Sequence, residues 1–330
     1  MKSSNYWYTT IAILLLIGGC GQDSAAPEDS QQTAAESRAD TMDAAVTESS
    51  MPPQEAVSFG GKPLYRNPVD AEKLEELDRS IAAVETKADL SEDDYIELGR
   101  YYIAGNRFQD AIALYTRGLE AYPDSFKLRR HRGHRYINVR ELDKAIVDLN
   151  QAVELMGDTS SDVMEYDENG KPYGTYEHWV WYHIGLYHYL NEDFDEAARA
   201  YEKCVATAMD NKGLVGASDW LYNAYQKGGN STEAARVIDA IPADINADRN
   251  HPYFHRVMVY KGIEKPEEVL DFNKPAGEWT GRDVTLGYGI ANWYKFNGDE
   301  VTADKIYKAI LQTPFWNSWA YVVTDKEQAT

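Results

Sequence analysis

Cysteine is almost missing from this chain of 330 residues, which holds only Cys20 and Cys204. Two thiols cannot build a cysteine metal cluster, so packing has to carry stability. Positive charge is also short: 33 Lys and Arg stand against 54 Asp and Glu, a formal net charge of −21. That balance excludes nucleic acid as a partner, because phosphate binding needs a broad basic footprint over a domain. The apolar run Ile11 to Ile17 is too short to cross a bilayer. There is no Gly-rich phosphate loop, no G-x-S-x-G elbow and no cysteine in a reactive setting. The segment 251-HPYFH-255 has the spacing of a metal-binding pair, but the glutamate of H-E-x-x-H is absent and Pro252 puts His251 at a helix start. The expectation is a protein that is no enzyme, with no cofactor and no metal; a metal-dependent enzyme is the weakest reading kept.

What is present begins with an amino terminus that points to a compartment. In 1-MKSSNYWYTTIAILLLIGGC-20 a single Lys2 precedes the short apolar run, which ends in small residues, so residues 1–19 read as a signal peptide rather than a membrane helix. Leu16-Ile17-Gly18-Gly19-Cys20 resembles the bacterial lipobox. The resemblance implies that Cys20 carries diacylglycerol and an acylated amino group, several chains giving stable anchoring where one would be marginal. Gly21 stands where Asp would signal inner-membrane retention in enteric bacteria, so the outer membrane is the expected destination. With Cys20 lipidated, Cys204 has no disulfide partner. From Gly21 to Gly61 eight carboxylates face Arg38 alone, and such a segment cannot bury enough apolar surface to offset its ordering entropy. Residues 20–61 are expected to be a disordered acidic tether with a reach of roughly 35 Å.

The rest repeats. Set 95-YIELGRYYIAGNRFQDAIALYTRGLEAYP-123 above 129-RRHRGHRYINVRELDKAIVDLNQAVELMG-157, and Gly99 falls on Gly133, Tyr102 on Tyr136, Ala111 on Ala145, Tyr115 on Leu149 and Gly118 on Ala152, each pair 34 apart. In 181-WYHIGLYHYLNEDFDEAARAYEKC-204, Trp181, Gly185, Ala197, Tyr201 and Cys204 take the same offsets after 18 inserted residues. Further copies are legible through Tyr225, Ala234 and Ile238, in a worn form over 253–270, and through Tyr294, Ala303 and Tyr307. The period and these residue types resemble the tetratricopeptide repeat. That implies an all-α fold, a right-handed α-solenoid of about five to six helical hairpins over 62–330, with repeats near 92–125, 126–159, 178–211, 215–248, 250–273 (degenerate) and 284–317. The insertion spans 160–177. Helices following Asn67-Pro68 and Pro314 are expected to cap the two ends. The segment 131-HRGHRY-136 also resembles a signature of bacterial tetratricopeptide proteins, which supports the fold and assigns no role.

The scarce positive charge gathers in one place, 127-KLRRHRGHRYIN-138. Groove positions of the resembling family fall on Lys127, Arg130 and His134, spaced i, i+3, i+7 on one helical face. Neighbouring repeats add Arg100, Trp179, Tyr182 and Tyr189. A cationic and aromatic groove suits an oxyanion joined to something flat or apolar. Arg129 and Arg132 sit instead where the repeat carries Trp and Leu, so each needs a carboxylate, from Asp94, Glu97, Asp148 or the insertion. The alternative is that the whole run is fold-specific pairing without a ligand. The family's clamp for a terminal carboxylate is not reproduced, since Ile96 and Arg100 stand at its groove positions. In the insertion, Glu165, Asp167, Asn169 and Gly170 match a calcium loop only in part, with Tyr176 where Glu belongs; an acidic loop folded against the basic run is the stronger expectation. The functional expectation is a membrane-anchored scaffold of the bacterial cell envelope that binds a protein or peptide in its concave groove. The other reading is capture of a small anionic or glycan ligand there, with Trp179, Tyr182, Trp220 and Trp293 as ring faces.

Overall fold

A computed structural model describes residues 51–157, 163–166 and 170–329. The signal peptide, Cys20 and all but the end of the tether lie outside the described residues, as do Asp167 and Asn169 of the calcium-like stretch. Helices occupy most of what is described. Six helical hairpins follow one another: α2 (Glu92–Ala104) with α3 (Phe108–Ala121), α4 (Phe126–Asn138) with α5 (Leu142–Met156), α6 (Tyr176–Leu190) with α7 (Phe194–Ala206), α8 (Asn211–Lys227) with α9 (Ser231–Asp239), α10 (Pro252–Tyr260) with the short α11 (Pro266–Val269), and α12 (Gly281–Phe296) with α13 (Glu300–Leu311). They are flanked by α1 (Ala71–Glu85) and α14 (Trp319–Gln328), and successive helices pack on one another as an α-solenoid.

The repeat is written in the backbone as well as in the side chains. Each hairpin turns on a residue with positive φ: Asn106, Arg140, Glu192, Gly229, Gly262 and Gly298. The next amide reaches back to close the turn, Arg107 to the Tyr102 carbonyl at 2.9 Å, Glu141 to Tyr136 at 2.8 Å and Asp193 to His188 at 3.0 Å. This is the bond that satisfies orphan carbonyls at a helix end in the Schellman motif. Helix starts keep the same phase, since Ser91 caps α2 and Ser125 caps α4. The glycines of the first helices let the pair cross closely. A Cβ on Gly185 would stand 2.8 Å from the Tyr201 ring, and one on Gly133 would stand 3.0 Å from Leu149. Ala111, Ala145 and Ala197, fully buried on the second helices, complete the close crossing.

Three expectations change. The tether does not run to residue 61: β1 (Gln54–Val57) and β2 (Pro63–Tyr65) form an antiparallel hairpin within the unit Pro52–Thr330. Glu55 is buried there, where it accepts from the Arg66 Nε at 2.6 Å and the Gln109 amide at 2.9 Å, so one carboxylate counted as solvated is a structural partner. Second, α1 starts three residues beyond Pro68, capped by Asp70, whose side chain accepts from the Glu72 amide. Third, the carboxy-terminal helix does more than close the last repeat. Asn138 donates to the Asn317 carbonyl at 2.8 Å, Arg140 pairs with Asp325 at 3.2 Å and donates to the Trp316 carbonyl at 2.8 Å, and the Trp316 indole donates to the Tyr65 carbonyl. The end of the chain is thereby fastened to the second repeat and to the amino-terminal hairpin. Further along, the Tyr189 hydroxyl meets that of Tyr288 at 2.7 Å, and Tyr288 donates to Glu327 at 2.6 Å, so that part of the inner face is filled by the chain itself.

Candidate functional site

The basic run becomes α4, and its cations divide by face. On the side packed against α5, Arg132 grips Asp148 with Nε at 2.7 Å and Nη2 at 2.8 Å, and Arg129 reaches the same carboxylate at 3.4 Å. Asp148 is buried, so this bidentate pair answers the need created by replacing the repeat's Trp and Leu. Lys127 pairs with Glu92 at 2.9 Å and Asp93 at 3.4 Å at the start of α2.

The opposite side of α4 opens on a cavity of about 640 Å³. Arg130, His131, His134 and Arg135 line it from α4, Arg100 from α2, Trp179, Tyr182 and His183 from α6, and Trp319 from α14. Of the groove residues expected from the sequence, Arg100, Arg130, His134, Trp179 and Tyr182 are brought together there. Lys127 and Tyr189 are not: the first lies in its own ion pairs, the second in the buried contact with Tyr288. Basic side chains on the wall are Arg100, Arg130, Arg135, Lys171 and Lys212, and the acidic ones are Glu165 and Asp210. A strongly acidic chain thus keeps a cationic chamber, where low dielectric magnifies each charge.

The insertion supplies the main counter-charge. β3 (Met164–Tyr166) and β4 (Pro172–Thr175) pair as a hairpin that carries Glu165 into the chamber with almost no exposure. Its carboxylate lies 3.1 Å from Arg130, 3.7 Å from Arg100 and 3.5 Å from His131 Nε2, and accepts from the Tyr173 hydroxyl. Glu165, read above as one part of a calcium-like loop, is instead a partner of guanidinium groups. Burial, the largest single influence, works against the charged form of Arg130, but Glu165 together with Tyr173, Tyr176 and Tyr115 outweighs it and the group is held more firmly protonated than usual. Arg135 has no such partner. Among the described residues its only polar contact is the His134 ring, its Nε has no acceptor, and burial pulls its pKa down to about 10. At neutral pH it stays charged.

The hydrogen bonds assign the ring protons. A guanidinium only donates, so His131 Nδ1, 3.1 Å from Arg130 Nη1, accepts, and His134 Nδ1 accepts from Arg135. Both rings therefore carry the proton on Nε2. His183 is the reverse: Nδ1 lies 2.5 Å from the Trp179 carbonyl, which only accepts, so Nε2 holds a lone pair. All three are kept neutral, first by burial and then by nearby arginines. His134 packs between His183 and Trp319, with ring centroids 4.1 and 4.8 Å away, and Arg130 lies over the Trp179 ring at 5.8 Å. His178 is turned toward Cys204, whose thiol burial pushes up and makes unreactive.

Arg135, His183 and Trp319 were not among the residues expected to line the groove. Arg135 could have been found, because 130-RHRGHR-135 contains two overlapping i, i+4 pairs, Arg130 with His134 and His131 with Arg135. Trp319 carried no local signal, since a contact across so long a stretch of chain leaves no periodic trace.

Residues 180–208 match the tetratricopeptide repeat family. The match covers α6 and α7, the hairpin that follows the insertion. Tetratricopeptide repeats commonly bind protein partners. No curated protein sequence matches the chain. Solved structures similar to it include nearly identical TPR-like repeats from Podosopora anserina, 14% identical over 66% of this chain and 92% of that one, with a TM-score of 0.40. The MamA protein is 19% identical over 59% of this chain and 89% of its own, also at 0.40. The TPR domain of P58(IPK) is 15% identical over 78% and 74%, at 0.26. Among the described residues there is no cluster of metal-ligating side chains, and no helix is long and apolar enough to cross a membrane.

Proposed function

We propose that this is a lipid-anchored binding protein of the bacterial cell envelope, in which tetratricopeptide hairpins hold an anion-binding chamber between α2, α4, α6 and α14. The observation that carries the reading is Arg135: a half-buried guanidinium whose Nε is buried without an acceptor, with no carboxylate at ion-pair distance among the described residues, lining a cavity of about 640 Å³ beside Arg130 and Arg100. A charge so placed is costly to keep without a counter-ion, and an anionic ligand would offset that cost. The size suits a compact ligand, since small-molecule sites run from about 300 to 1,000 Å³. Trp179, Tyr182 and Trp319 supply ring faces for its apolar body. Isothermal titration with small aromatic anions tests the reading; absence of heat with every one removes it.

The repeat framework favours a second reading, a scaffold whose partner protein inserts an acidic end into the same chamber. Crosslinking in intact cells separates the two, because a scaffold has a reproducible protein neighbour that is lost on Arg135→Gln. Anchoring rests on the lipobox-like Leu16-Ile17-Gly18-Gly19-Cys20, with the outer membrane as destination. Palmitate labelling that survives Cys20→Ala would refute it.

A further inference from the structure

The chamber wall is not uniformly a set of donors, and the exception narrows the ligand. Nε of Arg130, Nε of Arg135 and the Trp179 indole nitrogen are buried donors without acceptors. His183 Nε2 is buried and unpartnered as well, but its lone pair makes it an acceptor, because its Nδ1 proton is committed to the Trp179 carbonyl. It lies beside His134, ring to ring at 4.1 Å. A ligand that satisfies all four must accept several hydrogen bonds and bring one proton.

Carboxylates and sulfate esters do not meet that requirement. Both are fully deprotonated near neutral pH, so either would leave Nε2 unsatisfied, or force His183 to take a proton from solvent against burial and the Arg130 charge. A phosphate monoester is different. Its second ionisation falls near pH 6, so around that pH about half of it carries a proton that can be shared at little cost. Its three terminal oxygens fit the two guanidinium groups and the indole, and one oxygen and Nε2 of His183 hold the proton between them. Proton count balances whichever of the two atoms carries it, and no bond to phosphorus is made or broken.

Building on the anion-binding reading above, we infer that the chamber is a site for the phosphate monoester of a small flat molecule, with His183 as the residue that tells phosphate from sulfate and carboxylate. The ring of such a ligand would lie among Trp179, Tyr182 and Trp319. A free small molecule is favoured over a chain segment, because α14 and the Tyr189–Tyr288 contact fill the neighbouring inner face.

The test is calorimetry on the full chain in detergent with phenyl phosphate, phenyl sulfate and benzoate at pH 6, where about half of the monoester carries its second proton. Phenyl phosphate is expected to bind at least about tenfold more tightly than the other two, the value of one neutral hydrogen bond. Arg135→Gln should weaken all three by about ten- to hundredfold, as for a bond to a charged group. His183→Gln, whose amide can turn to donate or accept, should bring the phosphate-to-sulfate ratio close to one; unchanged melting would certify that variant's fold. Equal binding of the three anions by the unaltered protein would overturn the phosphate inference and leave the anion site standing. No binding of any would overturn both.

Discussion

Two guanidinium groups, one sealed in the core and one half-buried at a cavity, face opposite situations in this protein. Arg256 on α10 has no exposure and meets Asp219 of α8 at 2.6 Å, with its Nε near the Tyr260 hydroxyl and Nη1 near the Thr285 carbonyl, both at 3.3 Å. The rings of Trp220, Tyr253 and Tyr288 surround it, and Asn223, Asn292 and Tyr307 continue the polar chain at 2.8 and 2.5 Å. Neither Arg256 nor Asp219 lines the chamber. Burial raises the Asp219 carboxyl to about 6, and Arg256 limits the rise. Half-buried Arg135 has no counter-charge at ion-pair distance among the described residues, and what lies before it is a cavity. The lesson is that a strongly perturbed charge marks a binding site only where its unmet valence opens on space; Asp219 and Arg256 are the more perturbed pair and hold the fold.

Removing one member of the sealed pair should have the largest effect. Asp219→Ala leaves Arg256 buried and alone, and should cost about 3–5 kcal/mol in urea unfolding. Ligand affinity of the remaining folded protein should not change. Acid should weaken the fold through the chamber histidines. His131, His134 and His183 have folded pKa values well below the ordinary 6.5, so their contribution is complete above 6.5 and is lost as pH falls below it, where the unfolded chain binds protons that the folded one refuses. Each approaches a loss of about 1.4 kcal/mol per pH unit, measurable as a fall in the urea midpoint between pH 6.5 and 5.5. Arg135→Leu should reverse the pattern of the first variant, abolishing anion binding while stability is unchanged or higher by up to about 1 kcal/mol, since it removes a charge with no partner. The smallest effect belongs to the double variant Asp219→Leu with Arg256→Met, which replaces both charges at once and should alter stability by less than about 1 kcal/mol. A large loss there would mean that the sealed pair serves more than packing.

The repeats were legible because they rest on local rules. Gly99, Gly133 and Gly185 recur in phase, and so do the positive-φ turns that follow them, which no distant contact is needed to specify. Arg129 and Arg132 could be assigned a need for carboxylates from their positions alone, and Asp148 meets it. The chamber was half legible: Arg130 and His134 follow from helical spacing, whereas Glu165 arrives on an inserted hairpin and Trp319 on the last helix. Glu55 was misread for a related reason. Its neighbours are acidic and polar like a tether's, and only Arg66 and Gln109 make it a buried partner.

By itself the order of residues determined the hairpins, their period, the one basic helix and which of its arginines had to be paired. Tertiary structure alone decided that the end of the chain returns to the second repeat, that Glu165 answers Arg130 and Arg100, and that Arg135 is left without an answer. The reason is range. Backbone turns and helix faces depend on neighbours within a few residues, while the balance of charge in a buried space depends on whichever distant segments happen to wall it.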